Sequence, residues 1–278
     1  MVFSEAFALF QSFIIYDQVN PLLKVTNLTV SRQIHKGERS IIRDVSFTLG
    51  SKSILALVGE SGSGKTSLCR ALTRLLPAQM RTHGSVLWRS TDLLNCSEVT
   101  LREIRKTKIR YVFQEPFLAL NPLLKIGSQL RHASPDSKPS RAQMNDTLQR
   151  VGLAADVLTR YPHQLSIGMQ QRVMIAMATM AKPALLIADE PTSALDESLR
   201  TEMLDLLKSF QALWDMSVLL VTHDLSFARK FADFVGVLYQ GNLVEMATVD
   251  KFFQQPQHSY SKLLVESLTR SCNLALEE

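Results

Sequence analysis

Gly59-Glu60-Ser61-Gly62-Ser63-Gly64-Lys65-Thr66 fits the pattern G-x-x-x-x-G-K-[ST] without a mismatch. The apolar run 54–58 before it reads as a buried strand and 67–76 as the helix after it, which is the strand, loop and helix context that a phosphate-binding loop requires. Its glycines let the main chain bend so that consecutive N–H groups and the helix N-terminus face an anion. Lys65 is expected to reach the β- and γ-phosphates of a nucleoside triphosphate, and the Thr66 hydroxyl to ligate Mg²⁺. Gly59, Glu60, Ser61, Gly62, Ser63, Gly64 and Ser67 complete the predicted cradle.

Two further places carry chemistry. Ala184-Leu185-Leu186-Ile187-Ala188-Asp189-Glu190 reads as a buried strand ending in two acids, far downstream of the loop. Asp189 is placed to hold the metal and Glu190 to polarise an attacking water. His223 follows the next apolar strand, in Val221-Thr222-His223-Asp224, at the strand end from which it could reach a γ-phosphate.

The elements that must position these residues change character along the chain. Strand-like segments at 23–30, 45–49, 85–88 and 109–113 give a mixed sheet at the front. Between 116 and 182 the period becomes helical, at 141–151 and 170–181, with a Ser/Pro-rich break at 134–140. Strands return at 184–188 and 218–222 around a helix predicted to bury Leu199, Met203, Leu206, Leu207, Phe210 and Leu213, which argues for a parallel sheet. The segments 234–239 and 243–246, joined through Gly241-Asn242, form a predicted closing hairpin. The methionines at 169, 174, 177 and 180 read as core or interface filling rather than a cofactor box.

Composition adds less. The 278 residues carry a formal charge of +5, and the densest basic cluster, Arg102, Arg105, Lys106, Lys108 and Arg110, reads as a solvated face, so no nucleic-acid partner is expected. Cys69, Cys96 and Cys272 form no CxxC pair, which speaks against a zinc site or a disulfide framework and for a reducing cytosol. Residues 1–20 are apolar but short and interrupted by Glu5; they read as a surface-packed extension or a start codon placed too early, with an amphipathic contact helix as the alternative. No spanning helix and no internal repeat is expected.

Gln114 after the strand Tyr111-Val112-Phe113, the run Leu165-Ser166-Ile167-Gly168-Met169-Gln170-Gln171-Arg172, Asp189-Glu190, Ser193-Ala194-Leu195-Asp196 and His223 occur in the order of an ABC transporter ATP-binding subunit. The resemblance covers about residues 22–265. Phe113-Gln114-Glu115-Pro116 with Ala119-Leu120-Asn121-Pro122, and Tyr161-Pro162-His163-Gln164, resemble the oligopeptide, dipeptide and nickel importer branch. His258-Ser259-Tyr260 with Leu263-Leu264 is similar to that branch's tail, without its usual proline.

The resemblance implies an α/β fold: a RecA-like P-loop NTPase core with an antiparallel β subdomain and an inserted helical subdomain. Its expected boundaries are an extension at 1–20, core and β subdomain at 21–114, helical subdomain at 115–182, core again at 183–250 and a tail at 251–278. It implies ATP and Mg²⁺ as cofactors, with Gln114 sensing the metal and water, Glu190 as base and His223 on the γ-phosphate. Ser166, Gly168 and Met169 would complete the ATP site of a facing protomer, and the Asp196 loop would link the two sites. The implied partners are a second, similar ATPase subunit, two transmembrane permease subunits and, indirectly, a solute-binding protein, at the cytoplasmic face of the cell membrane. The implied task is to energise uptake of peptides, nickel or a metal chelate. Two alternatives are a partly degenerate nucleotide-binding module whose partner does most hydrolysis, and a soluble non-transport ABC ATPase, for which tandem cassettes or a coiled-coil insertion would be expected. Two departures stand out: Ile167 replaces the family's glycine, and 31–43 lacks an adenine-stacking aromatic, leaving His35 as the nearest substitute. Without the C-terminal cysteine cluster of some relatives, no iron–sulfur group is expected.

Overall fold

The computed structural model describes residues 21–34, 37–136, 138–192 and 197–274. The chain forms two compact units, one containing residues up to Cys96 and again from Leu220, the other Ser97–Leu219.

The first unit opens with two long antiparallel strands, β1 (Leu23–Ile34) and β2 (Gly37–Leu49). On β1, Leu23, Val25, Leu28 and Val30 are all buried, and register shifts between Val25, Leu28 and Val30 keep the apolar side chains on one face. These strands run past the expected 23–30 and 45–49 because the polar residues between form a hairpin arm. β3 (Ile54–Val58) leads to the phosphate-binding loop; all five of its residues are buried, the pattern of a strand covered on both faces. Each large aliphatic side chain there contributes about 1.5–3 kcal/mol by burial. β4 (Met80–Trp88) pairs with β1, and the short β5 (Thr91–Asp92) with β4, giving a four-stranded sheet in the order β2-β1-β4-β5.

In the second unit β6 (Ile109–Val112) lies parallel to β7 (Leu185–Asp189), with Ile109 opposite Leu185 and Val112 opposite Ala188. Helices fill the interval between them, among them Ile126–Ala133, Arg141–Arg150 and Ile167–Thr179. The second of these starts after the Ser/Pro-rich break because Ser140 and Gln143 form a reciprocal capping box. Arg110 departs from the solvated face expected of its cluster: its guanidinium donates to the carbonyls of Lys106, Ala133 and Met177, and burial lowers its pKa. Arg102 does lie at the surface beside the Glu98 carboxylate, and Arg105, half-buried, reaches the same acid. The helix Glu197–Trp214 buries Met203, Leu204, Leu207 and Phe210, whereas Leu213 of the expected stripe is 58% exposed. Of the four methionines, Met174 is fully buried and 169, 177 and 180 are half-buried.

β8 (Ser217–Val221) carries the chain back to the first unit. β9 (Phe234–Tyr239) runs parallel to β3, with Leu55 opposite Phe234, and β10 (Asn242–Thr248) returns antiparallel to β9. The turn between them is Gln240-Gly241, both at positive φ, so Asn242 already belongs to the strand. The Asp233 carboxylate accepts the Ile54 N–H at 2.7 Å and fixes where β3 begins.

Candidate functional site

Within the first unit the loop after β3 is a preformed anion nest. Gly59 has φ +150°, and a Cβ there would lie 2.1 Å from the Leu238 carbonyl oxygen. Gly64 has φ +107°, and a Cβ would lie 2.5 Å from Ile42 Cδ1. Only glycine satisfies both the conformation and the close approach at these two positions. The helix Lys65–Leu72 begins at Gly64 with no side-chain cap, and the positive end of its dipole lies at the loop. Lys65 is 5% exposed, and its ammonium donates to the Gly59 and Glu60 carbonyl oxygens at 2.7 and 2.8 Å. A buried cation needs such partners, and this pair holds Nζ inside the curve of the loop. Ser63 is buried and its Oγ has no hydrogen-bond partner among the described residues. That orphaned hydroxyl, the ammonium and the uncapped helix start fit a triphosphate. Glu60, Ser61 and Gly62 are exposed at the rim, while Thr66 and Ser67 are half-buried on the first helical turn.

His223 belongs to the same unit. The N–H of Thr222 donates to Leu57 O at 3.2 Å, so His223 emerges beside the end of β3, where the loop starts. The next residue, Asp224, caps the helix Leu225–Phe231 by accepting from Ser226 N and Phe227 N.

The second unit gathers the carboxylates. Asp189 ends β7 with 1% exposure, and its Oδ2 accepts a 2.7 Å hydrogen bond from the Tyr111 hydroxyl. Glu190 has φ +46°, a left-handed conformation that is rare outside glycine and turns its side chain away from the line of the strand. Its Oε2 accepts from Gln114 Nε2 at 3.1 Å. Gln171, wholly buried, donates to the Pro191 carbonyl and so ties the helix Ile167–Thr179 to the turn after Glu190.

Ser166 caps that same helix, accepting from Met169 N at 3.3 Å. Ile167 is its first residue and 56% exposed; Gly168 and Met169 follow in the first turn, half-buried. Since Ile167 sits in an ordinary right-handed helical position, its backbone needs no glycine, and the departure from the family pattern reduces to the bulk of its side chain. Asp196 and His35 lie outside the described residues.

Three participants escaped the reading of the sequence. Tyr111 was visible only as a strand residue and Gln171 only as part of a motif. Tyr260, from the tail resemblance, is buried among Val58 and its neighbours and stacks on Tyr239 with ring centroids 4.3 Å apart. Burial, and then the Glu60 carboxylate that its hydroxyl faces, raise its pKa.

Comparison with known proteins agrees with this chemistry. The sequence profile of the family described as ABC transporter matches residues 42–193. The chain is 41% identical, over 90% of its own length and 77% of the relative's, to the dipeptide transport ATP-binding protein DppD of Bacillus subtilis (strain 168). It is 38% identical to the oligopeptide transport ATP-binding protein OppD of the same organism, over 90% of this chain and 73% of that one. Its fold matches the dimeric ATP-binding cassette MJ0796, solved in a post-hydrolysis state with ADP and Pi, at a TM-score of 0.73 and 26% identity, covering 82% of this chain and 98% of that one. A P-loop with its ammonium in place, acids at the end of β7 and these relatives together place the chain in the ABC transporter family, as one of its ATPase subunits.

Proposed function

We propose that this chain is the ATP-hydrolysing subunit of an importer of dipeptides or oligopeptides. The observation that carries the reading is the Lys65 ammonium held over the Gly59 and Glu60 carbonyls, in a chain about 40% identical to subunits named for peptide transport. Lys65 and the loop N–H groups bind the triphosphate, and the residues 59–67 form its cradle. Thr66 and Asp189, with Gln114 as sensor, are the proposed Mg²⁺ ligands, and the ion would neutralise charge on the transferring phosphate. Glu190 takes the proton of the attacking water, and His223 holds the γ-phosphate. Ser166, Gly168 and Met169 serve the site of a facing protomer, and the Asp196 loop joins the two.

The proposed assembly is a heterodimer with a similar ATPase on two permease subunits, at the cytoplasmic face of the membrane and fed by a solute-binding protein. No helix among the described residues is long and apolar enough to cross a membrane, in keeping with a pore made by other chains. In this reading residues 115–182 form the helical subdomain that receives the permeases, within core segments at 21–114 and 183–250, and 251–278 form the tail.

The exposed Ile167 side chain favours a second reading, in which this chain is a partly degenerate nucleotide-binding module and its partner does most hydrolysis. The test is ATP turnover of the purified heterodimer, beside Glu190→Gln and Ile167→Gly forms. A collapse in the first form supports the ATPase reading. No change in the first with a large gain in the second supports the module.

A further inference from the structure

The tail motif His258-Ser259-Tyr260 carries no nucleotide chemistry of its own, yet within the first unit it reaches the phosphate loop. It is anchored just before the helix Ser259–Leu274 begins. The buried Glu245 carboxylate on β10 accepts the N–H groups of Gln257 and His258, both at 2.9 Å, and His258 Nδ1 accepts the Tyr260 N–H at 3.2 Å. A buried carboxylate with two main-chain donors makes a strong tether. From that anchor Tyr260, Leu264, Val265 and Leu268 pack on an apolar cluster that contains Ala56 and Val58 of β3, on one face of the helix.

The register of the sheet then carries the tail to the loop. β3 and β9 are parallel with Val58 opposite Val237, so two residues further on Tyr239 stands level with Glu60. The carbonyl oxygen of Leu238, one residue earlier, is the atom that leaves no room for a Cβ at Gly59. Tyr260 stacks on Tyr239 with centroids 4.3 Å apart, which brings its hydroxyl to the entry of the loop, facing Glu60. Tyr260 is 7% exposed, and its oxygen has no well-formed hydrogen bond among the described residues. A buried O–H without a partner costs stability and calls for a reason. Its raised pKa keeps the proton in place, so the group is available as a donor.

Glu60 stands at the rim of an anion nest. Its carbonyl oxygen accepts from Lys65 Nζ at 2.8 Å, while its side chain is exposed and carries the same sign as the phosphates that must pass it. Repulsion drives that carboxylate away from the nest, and on the tail side a buried donor waits for it.

We propose that Tyr260 is a positioning residue of the nucleotide site: as the triphosphate enters, its hydroxyl takes the Glu60 carboxylate, draws that charge off the phosphates and steadies the carbonyl on which Lys65 rests. The proposal rests on the P-loop being the triphosphate site. The tail thereby contributes to nucleotide affinity without touching the nucleotide.

The test is a double-mutant cycle in MgATP affinity, measured by calorimetry on the full chain. Tyr260→Phe deletes the hydroxyl and keeps the ring, so Tm should equal or exceed the parent's while ATP binds about tenfold more weakly. In a Glu60→Ala background the same change should alter affinity by less than about twofold, since no carboxylate is left to hold. The proposal is overturned if Tyr260→Phe binds ATP as the parent does, if its loss is as large in the Glu60→Ala background, or if the loss comes with a Tm lowered by more than about 4 °C, the mark of a packing defect. Lys65→Ala separates the two layers. If it still binds ATP normally, the P-loop reading fails and takes the tail's role with it; if it loses binding while Tyr260→Phe keeps it, the tail's role alone is refuted.

Discussion

The two units hold their candidate functional residues by different means. In the first unit the proposed phosphate-binding surface is main chain: glycines at positive φ, an uncapped helix start and a lysine that donates to carbonyl oxygens. In the second unit the proposed reactive acids are set by other side chains, Tyr111 on Asp189 and Gln114 on Glu190, with Glu190 in a left-handed conformation. A main-chain nest tolerates almost no change of residue type but depends on few neighbours. A side-chain network is exposed to many small perturbations, each of moderate effect. The first is suited to holding a ligand before reaction, the second to work that begins when the ligand is in place.

The sharpest test of this contrast is Glu190→Gln. It should reduce turnover by about 10²–10⁴-fold, the span of general-base contributions, while the affinity for ATP, read by calorimetry, stays within about twofold. A matching loss of affinity would erase the division of labour. Lys65→Ala should do the reverse of this pattern and strike binding itself, at about 3 kcal/mol or more than about a hundredfold; an unimpaired Kd would remove the lysine from the nest. For Tyr111→Phe, which deletes one buried donor to Asp189, the expected cost is about 1–2 kcal/mol in turnover, measurable as a roughly tenfold fall in kcat with Tm nearly unchanged. Smallest is Ile167→Gly: trimming an exposed side chain should raise turnover of the heterodimer by no more than about threefold if the signature is competent, and stability should drop by about 1 kcal/mol from the poorer helix propensity. A much larger gain would favour the weakened-site reading.

The same contrast explains what could be read from the sequence. Folding a chain around phosphate demands glycine, lysine and threonine at fixed spacing, so residues 59–66 announced themselves. β7 and its acids were equally plain, because a fully buried strand ending in charge has few other meanings. The Tyr111–Asp189 and Gln114–Glu190 bonds join residues 78 and 76 positions apart, and nothing local in a tyrosine or glutamine tells which distant acid it will meet. The hairpin arm of β1 and β2 was missed beyond Val30 because its outer face alternates arginine with isoleucine, which does not resemble a strand with one dry side. On the helix Glu197–Trp214 the apolar stripe was drawn one position off, with Leu213 included and Leu204 left out. A helix contact arc some 100° wide admits either choice until its neighbour is known.

The partnership of β3 with β9, and the clasp of Asp233 on Ile54 across 179 positions, has a consequence for biosynthesis. At about 5–20 residues per second a ribosome needs roughly 10–35 s to deliver the second strand after the first has emerged. Throughout that interval the edge of β3 that β9 will cover stays unsatisfied, so chaperone capture is expected to concentrate there. A message broken anywhere before codon 233 yields a product that owns the P-loop letters but not the neighbouring strand that holds them in shape.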